Sequence, residues 1–228
     1  MPRVTVLQLD TNFRRIAGDI GCPETFTEPP QILKISGAAV ANIVTDKPQA
    51  IDIAPFRTAL AKATGDIVTT SCGFLSFWQD SLAKAAHKPF VASALSALPQ
   101  LAQHLTPEEL LIITFDAEKL NATHLQGHPE FTPSIHGLPE HAHLRAVIGN
   151  DLQTLDQTQA AAELITLIGS AIHAKTRAIL LECTNLPPYK PAITKAFNLP
   201  IYDILTTIEI TCPNTIAPKH LPPPIPRG

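Results

Sequence analysis

The chain has 228 residues, of which 45% are hydrophobic and 16% charged, and its formal net charge is −3. That is enough chain for one large domain or two small ones with a real core. No basic run offers a cationic surface to nucleic acid, and no stretch approaches the roughly 18–20 unbroken apolar residues of a membrane span.

Val4 to Leu9 is rich in β-branched residues and reads as a strand ending at Asp10. A polar loop with Gly and Pro follows over 10–30, then an extended stretch over 31–44 broken by Gly37. Residues 55–63 put Phe56, Ala59, Leu60 and Ala63 on one helical face. Residues 66–70 form a strand that runs into Ser71-Cys72-Gly73, followed by a helix over 75–86, a strand over 90–92 and a helix over 98–105. Leu110 to Thr114 is a buried-type strand, and a loop rich in His and Pro extends from 125 to 141. Residues 144–148 read as a strand and 158–175 as the longest helix, capped by Asp156 or Thr158. The strand 178–182 leads into Cys183, and a short helix over 191–197, a strand over 200–203 and a helical stretch over 205–211 complete the pattern. The Pro-rich tail, 218–228, is expected to be poorly ordered.

Strands alternating with helices predict an α/β fold with parallel sheets covered on both faces. Ligands of such sheets bind beyond the carboxyl ends of the strands. Here those ends carry Asp10, Ser71-Cys72 and Cys183-Thr184. The N-terminus shows no secretory pattern, which leads to the expectation of a cytoplasmic protein without a membrane partner.

The four cysteines, Cys22, Cys72, Cys183 and Cys212, form no C-x-x-C pair and no zinc-knuckle spacing. Disulfides are disfavoured in a reducing compartment. Two of the cysteines share a grammar: Ile67-Val68-Thr69-Thr70-Ser71-Cys72 and Ile179-Leu180-Leu181-Glu182-Cys183 each deliver a thiol at the end of an apolar strand, just before a helix. A helix N-terminus stabilises a thiolate and is expected to lower the thiol pKa. Two thiols in matching places, one ionised and one neutral, suit proton transfer at carbon, a base on one face and an acid on the other. The competing account is a pair of inert buried cysteines, since free Cys is among the most buried residue types.

At these residues the chain resembles the aspartate/glutamate racemase superfamily. The carriers are residues 9–21, Thr69-Thr70-Ser71-Cys72-Gly73-Phe74, Glu182-Cys183-Thr184-Asn185-Leu186-Pro187-Pro188-Tyr189, and Ile201-Tyr202-Asp203-Ile204. The resemblance implies two similar α/β lobes, each a parallel sheet flanked by helices, pseudo-twofold related, with the active site between them. It places residues 1–98 and 199–228 in a lobe carrying Cys72, and residues 99–198 in a lobe carrying Cys183. It implies a cofactor-independent racemase or epimerase that inverts a carbon next to a carboxylate or carbonyl, with Cys72 and Cys183 as the acid/base pair. The substrate would be an amino acid or a derivative such as aspartate, glutamate or a hydantoin. It also implies no metal and a homodimer. Substrate contacts are expected from Asp10, Arg14, Thr70, Ser71, Gly73, Thr184 and Asn185. The chain departs from the family where Cys72-Gly73-Phe74 replaces the Cys-Asn-Thr frequent in amino-acid racemases, and where Asn185 replaces the His of glutamate racemases. Two alternatives stand beside this: a maleate-type cis–trans isomerase with a nucleophilic Cys, and a non-catalytic protein that binds small acids.

Arg14 and Arg15 lie in the loop after the first strand, where a guanidinium fork could hold a carboxylate or form a structural salt bridge. His124, His128, His136, His141 and His143 are dense but lack a metal-site pattern, and they read as a loop covering the substrate, with one His in the cleft. Cys22 and Cys212 read as structural, Phe77 and Trp78 as core, and Asp203 as a helix cap.

Overall fold

The computed structural model describes residues 3–222. In chain order its elements are β1 (Val4–Leu9), β2 (Gln31–Ile35), α1 (Val40–Ile43), α2 (Ala54–Leu60), β3 (Ile67–Thr70), α3 (Gln79–Ala86), β4 (Phe90–Val91), α4 (Leu98–Leu101), β5 (Leu110–Thr114), β6 (Ile135–Gly137), α5 (His143–Gly149), α6 (Gln157–Ala171), β7 (Ala178–Leu181), α7 (Lys190–Phe197), β8 (Ile201–Asp203) and α8 (Ile204–Thr211). The strands form two four-stranded parallel sheets, ordered β2-β1-β3-β4 and β6-β5-β7-β8. Each sheet thus runs second, first, third, fourth, and the second half of the chain repeats the first.

The central strands β1, β3, β5 and β7 are buried along their whole length. That is why they read as continuous apolar runs: helices cover both faces of a parallel sheet. Asp156 caps α6 by accepting from the Thr158 and Gln159 N–H groups, and Asp203 caps α8 in a capping box with Thr206.

Three local expectations are corrected. Residues 144–148 are helical, because Leu144, Val147 and Ile148 are spaced to bury one helical stripe and all three are buried. The extended stretch over 31–44 stops at β2, turns at Gly37 with φ +78°, and becomes the helical turn α1. The His-rich loop contains an unexpected strand, β6, which pairs with β5. The return of the chain expected at residue 199 falls before β8, which pairs with β7 and so belongs to the second sheet. Of the Pro-rich tail, residues 223–228 lie outside the described residues.

Candidate active site

β3 and β7 occupy the same place in their sheets. Val4 pairs with Ile67, and Cys72 comes five residues after Ile67; Leu110 pairs with Ala178, and Cys183 comes five residues after Ala178. Both thiols line one cavity where the two sheets' carboxyl ends meet. The local wiring also matches: the Phe74 N–H points at the Cys72 sulfur, and the Asn185 N–H at the Cys183 sulfur. Each sulfur therefore takes a backbone donor from the residue two positions on. A cross-link joins the two ends, because the Thr184 hydroxyl donates to the Ser71 carbonyl at 2.8 Å.

The cavity has about 30 Å³ of free space, room for about two water molecules. One wall is apolar, made by Val40, Val44, Phe115 and Ile148. The other is a buried polar chain. Arg15 lies 4.2 Å over the Phe13 ring and donates to Asp19 at 2.8 Å and to the Thr11 hydroxyl at 3.0 Å. Asp19 accepts from the Asn185 amide, and the Asn185 side-chain oxygen accepts from the Cys183 thiol at 3.6 Å. A polar strap closes the cleft beside Phe13. Asp151 Oδ1 accepts from the Asn12 and Phe13 N–H groups at 2.6 Å each, and the Gln153 amide donates to the Asn12 carbonyl.

Burial dominates the electrostatics. The thiols are 8% and 7% exposed. Desolvation, followed by the neighbouring Glu182 carboxylate, pushes Cys72 up to about 12 and Cys183 well above the usual thiol range. The expected fall in thiol pKa is therefore corrected: the backbone donors oppose the shift but are outweighed. Glu182 is itself fully buried, and desolvation pushes its carboxyl up to about 7 against the opposing Thr114 hydroxyl, which donates to it at 2.6 Å.

Of the residues expected in the site, Cys72, Cys183, Ser71, Gly73, Thr184 and Asn185 line the cavity. Asp10, Arg14 and Thr70 do not. Asp10 accepts from the Gly37 N–H and stabilises that turn. Arg14 is exposed; Arg15 supplies the cavity's guanidinium instead. The Thr70 hydroxyl is taken by the Ala92 and Cys72 carbonyls. None of the five histidines lines the cavity, so the expected cleft His is corrected. His124 is buried as a cap partner of Asn121, and His143 accepts the Asp156 N–H. Among the described residues no His/Cys/Asp/Glu cluster could hold a metal ion, and no helix is long and apolar enough to cross a membrane. Sequence reasoning missed Glu182, Asp19 and the apolar wall. Glu182 had carried a signal: it is a charge placed directly after the apolar run 178–181.

No family model matches the chain. Among curated proteins it is 27% identical over 225 residues to dimethylsulfoniopropionate lyase 5 of Emiliania huxleyi (strain CCMP1516), which covers 91% of this chain. The chain spans 44% of that relative's length. Among solved structures it is similar to a glutamate racemase from Bacillus anthracis, with a TM-score of 0.52 and 12% identity over 88% of this chain and 76% of that one. It is similar also to unliganded arylmalonate decarboxylase, with a TM-score of 0.51 and 11% identity over 88% and 86% of the two chains. With two parallel sheets of matching strand order and these neighbours, the chain has the two-lobed α/β fold of that glutamate racemase and that decarboxylase.

Proposed function

We propose that the chain is an enzyme that binds a small carboxylate in the cavity and moves a proton at the adjacent carbon, with Cys72 and Cys183 as acid and base. The observation that carries this is the placement of two thiols at equivalent strand ends, lining one cavity. One cysteine as thiolate takes the Cα proton, so an S–H bond forms as the C–H bond breaks and the electron pair moves into the substrate's carboxylate. The second thiol then gives a proton to the other face, inverting the centre. This is the racemase or epimerase outcome. Burial favours the protonated form of both sulfurs, so a substrate with its own cationic group would help form the thiolate it needs.

A second outcome is favoured by the sequence relatives, which are named as lyases. The first step is the same. The electron pair then expels a leaving group from the β-carbon: the Cβ–S bond of a sulfonio carboxylate breaks, a C=C bond forms and the sulfide departs with its electron pair. The apolar wall of Val40, Val44, Phe115 and Ile148 suits the methyl groups of such a leaving group.

Proton NMR in deuterium oxide tests both. The panel contains amino acids, hydantoins, small diacids and dimethylsulfoniopropionate. Loss of a Cα–H signal from an intact compound supports the isomerase, and new vinyl signals support the lyase. Inversion must be abolished by Cys72→Ser and by Cys183→Ser, and elimination by the variant at the cysteine that acts as base. No exchange and no elimination across the panel would overturn the proposal.

A further inference from the structure

Glu182 is the one carboxylate lining the cavity, and its two oxygens are treated differently. Oε2 is held by the Thr114 hydroxyl at 2.6 Å, whereas Oε1 is buried with no partner. A buried carboxylate oxygen left unpaired costs free energy. Oε1 also occupies the space above Gly73 where any other residue would carry its Cβ, since a Cβ there would overlap it outright. A carboxyl at the end of β7 thus fills a gap left by a glycine beside Cys72, and it lies next to Cys183 in the chain.

We propose that Glu182, in its protonated form, donates a hydrogen bond from Oε1 to the carboxylate of the substrate and holds it between the two thiols. This rests on the small-carboxylate reading above and names the residue that anchors the acid. A neutral carboxyl suits the task. It does not repel an anion, and its hydrogen bond strengthens as proton abstraction builds charge on the substrate's carboxylate. Arg15 does not compete for the role, because its fork is engaged by Asp19 and Thr11. The titratable groups that share the cavity with Glu182 are Cys72 from the end of β3, Cys183 from its own loop and Arg15 from the loop after β1; the other polar lining is Thr11, Ser71, Thr184 and Asn185, and the rest is Gly73 and apolar side chains. Burial, which pushes the carboxyl up to about 7, agrees with a proton retained near neutrality.

The test is calorimetric titration of the full chain with propionate in two buffers of different ionisation enthalpy, at pH 6 and pH 8.5. We expect uptake of nearly one proton at pH 8.5 and little at pH 6, with affinity falling about tenfold per pH unit above 7. The thiols cannot supply this signal, since burial already holds them protonated. In Glu182→Gln the uptake disappears and affinity becomes flat with pH. If that variant does not fold, the infrared C=O stretch of a protonated carboxyl, appearing in wild type on propionate binding at pH 8.5, reports the same proton. Propionate binding without proton uptake would overturn the assignment of Glu182 and leave the carboxylate reading standing. Binding of no carboxylate to either folded protein would overturn both.

Discussion

The gap at Gly73 can be measured by filling it. In Gly73→Ala the new Cβ would overlap Glu182 Oε1 and lie 2.7 Å from both Glu182 Cδ and the Glu182 backbone carbonyl, where ordinary contact is 3.4–4 Å. The side chain can retreat only by giving up Thr114, and the carbonyl cannot retreat cheaply. The Glu182 N–H is bonded to the Ile113 carbonyl, which fixes that stretch to β5. Overpacking of this kind costs about 1–3 kcal/mol. At about 2–4 °C per kcal/mol for a chain of this size, the melting temperature should fall by roughly 2–12 °C. Glu182→Ala removes two of the three close contacts and leaves the carbonyl. Adding Gly73→Ala to that variant should therefore cost less than it does alone, with a coupling of about 1–2 kcal/mol in a double-mutant cycle by urea denaturation at pH 6. If Gly73→Ala were as stable as wild type, or the two costs simply added, the geometry argued for Glu182 would be wrong.

The pH dependence of stability carries the sign of the raised carboxyl. Glu182 moves from the ordinary 4.5 to about 7 on folding. Its contribution is therefore fully present below 4.5 and is lost as pH rises through about 7, by up to about 3 kcal/mol. Relative to wild type, Glu182→Gln should gain stability between pH 5 and 8, and an equal gap at both ends would contradict this. His124 works in the opposite sense: burial pushes it down to about 4, so charging it opposes folding as pH falls from 6.5 toward 4. His124→Asn, whose amide oxygen offers an acceptor for the Asn121 N–H but does not titrate, should flatten that acid limb, read as melting temperature against pH. Asp151→Ala should loosen the strap and speed iodoacetamide labelling of Cys72 and Cys183 severalfold, located by peptide mass spectrometry; an unchanged rate would show that substrate reaches the thiols another way. Arg15→Lys should lose the simultaneous contacts to Asp19 and Thr11, costing about 1–3 kcal/mol, and should slow proton exchange at the substrate more than that loss of stability explains.

The two sheets were legible because their central strands are buried on both faces and so are written as short apolar runs. The thiol pair was legible because each such run ends on a cysteine. Where the signal was shorter, it failed. Residues 144–148 look like a strand until the spacing of Leu144, Val147 and Ile148 is set against a neighbouring helix, and α6 lies outside that window. The three residues of β6 alternate too little to be seen. Within the loop after β1, no periodicity separates Arg14 from Arg15. What distinguishes Arg15 is its set of contacts to Thr11, Asp19 and the Phe13 ring, which depend on how the loop coils and not on any repeat in its sequence. The thiol pKa shift was misjudged because a helix start is a local feature, whereas the burial that outweighs it exists only in the folded cavity.

The two outcomes proposed for the site differ only after the first proton has moved. Inversion needs a second acid on the far face, and elimination needs a leaving group on the β-carbon with space for it to depart. In the proposed mechanism the same residues would meet both demands: Cys72 and Cys183 as base and acid, and the apolar wall of the cavity as a surface for a departing apolar group. The architecture thus leaves the choice to the substrate's β-carbon. Replacing the wall tests this directly. Val44→Ser introduces a hydroxyl into the apolar wall and leaves the thiols, Glu182 and Arg15 untouched. If the chain is a lyase for a sulfonio carboxylate, the variant should lose affinity for that substrate severalfold while propionate binding stays unchanged. If it is an isomerase whose substrate meets only the polar wall, Cα–H exchange should proceed at nearly the wild-type rate. Loss of propionate binding in the folded variant would show that the wall also shapes the carboxylate end of the cavity, and would refute the division of the site into an acid-binding half and an apolar half.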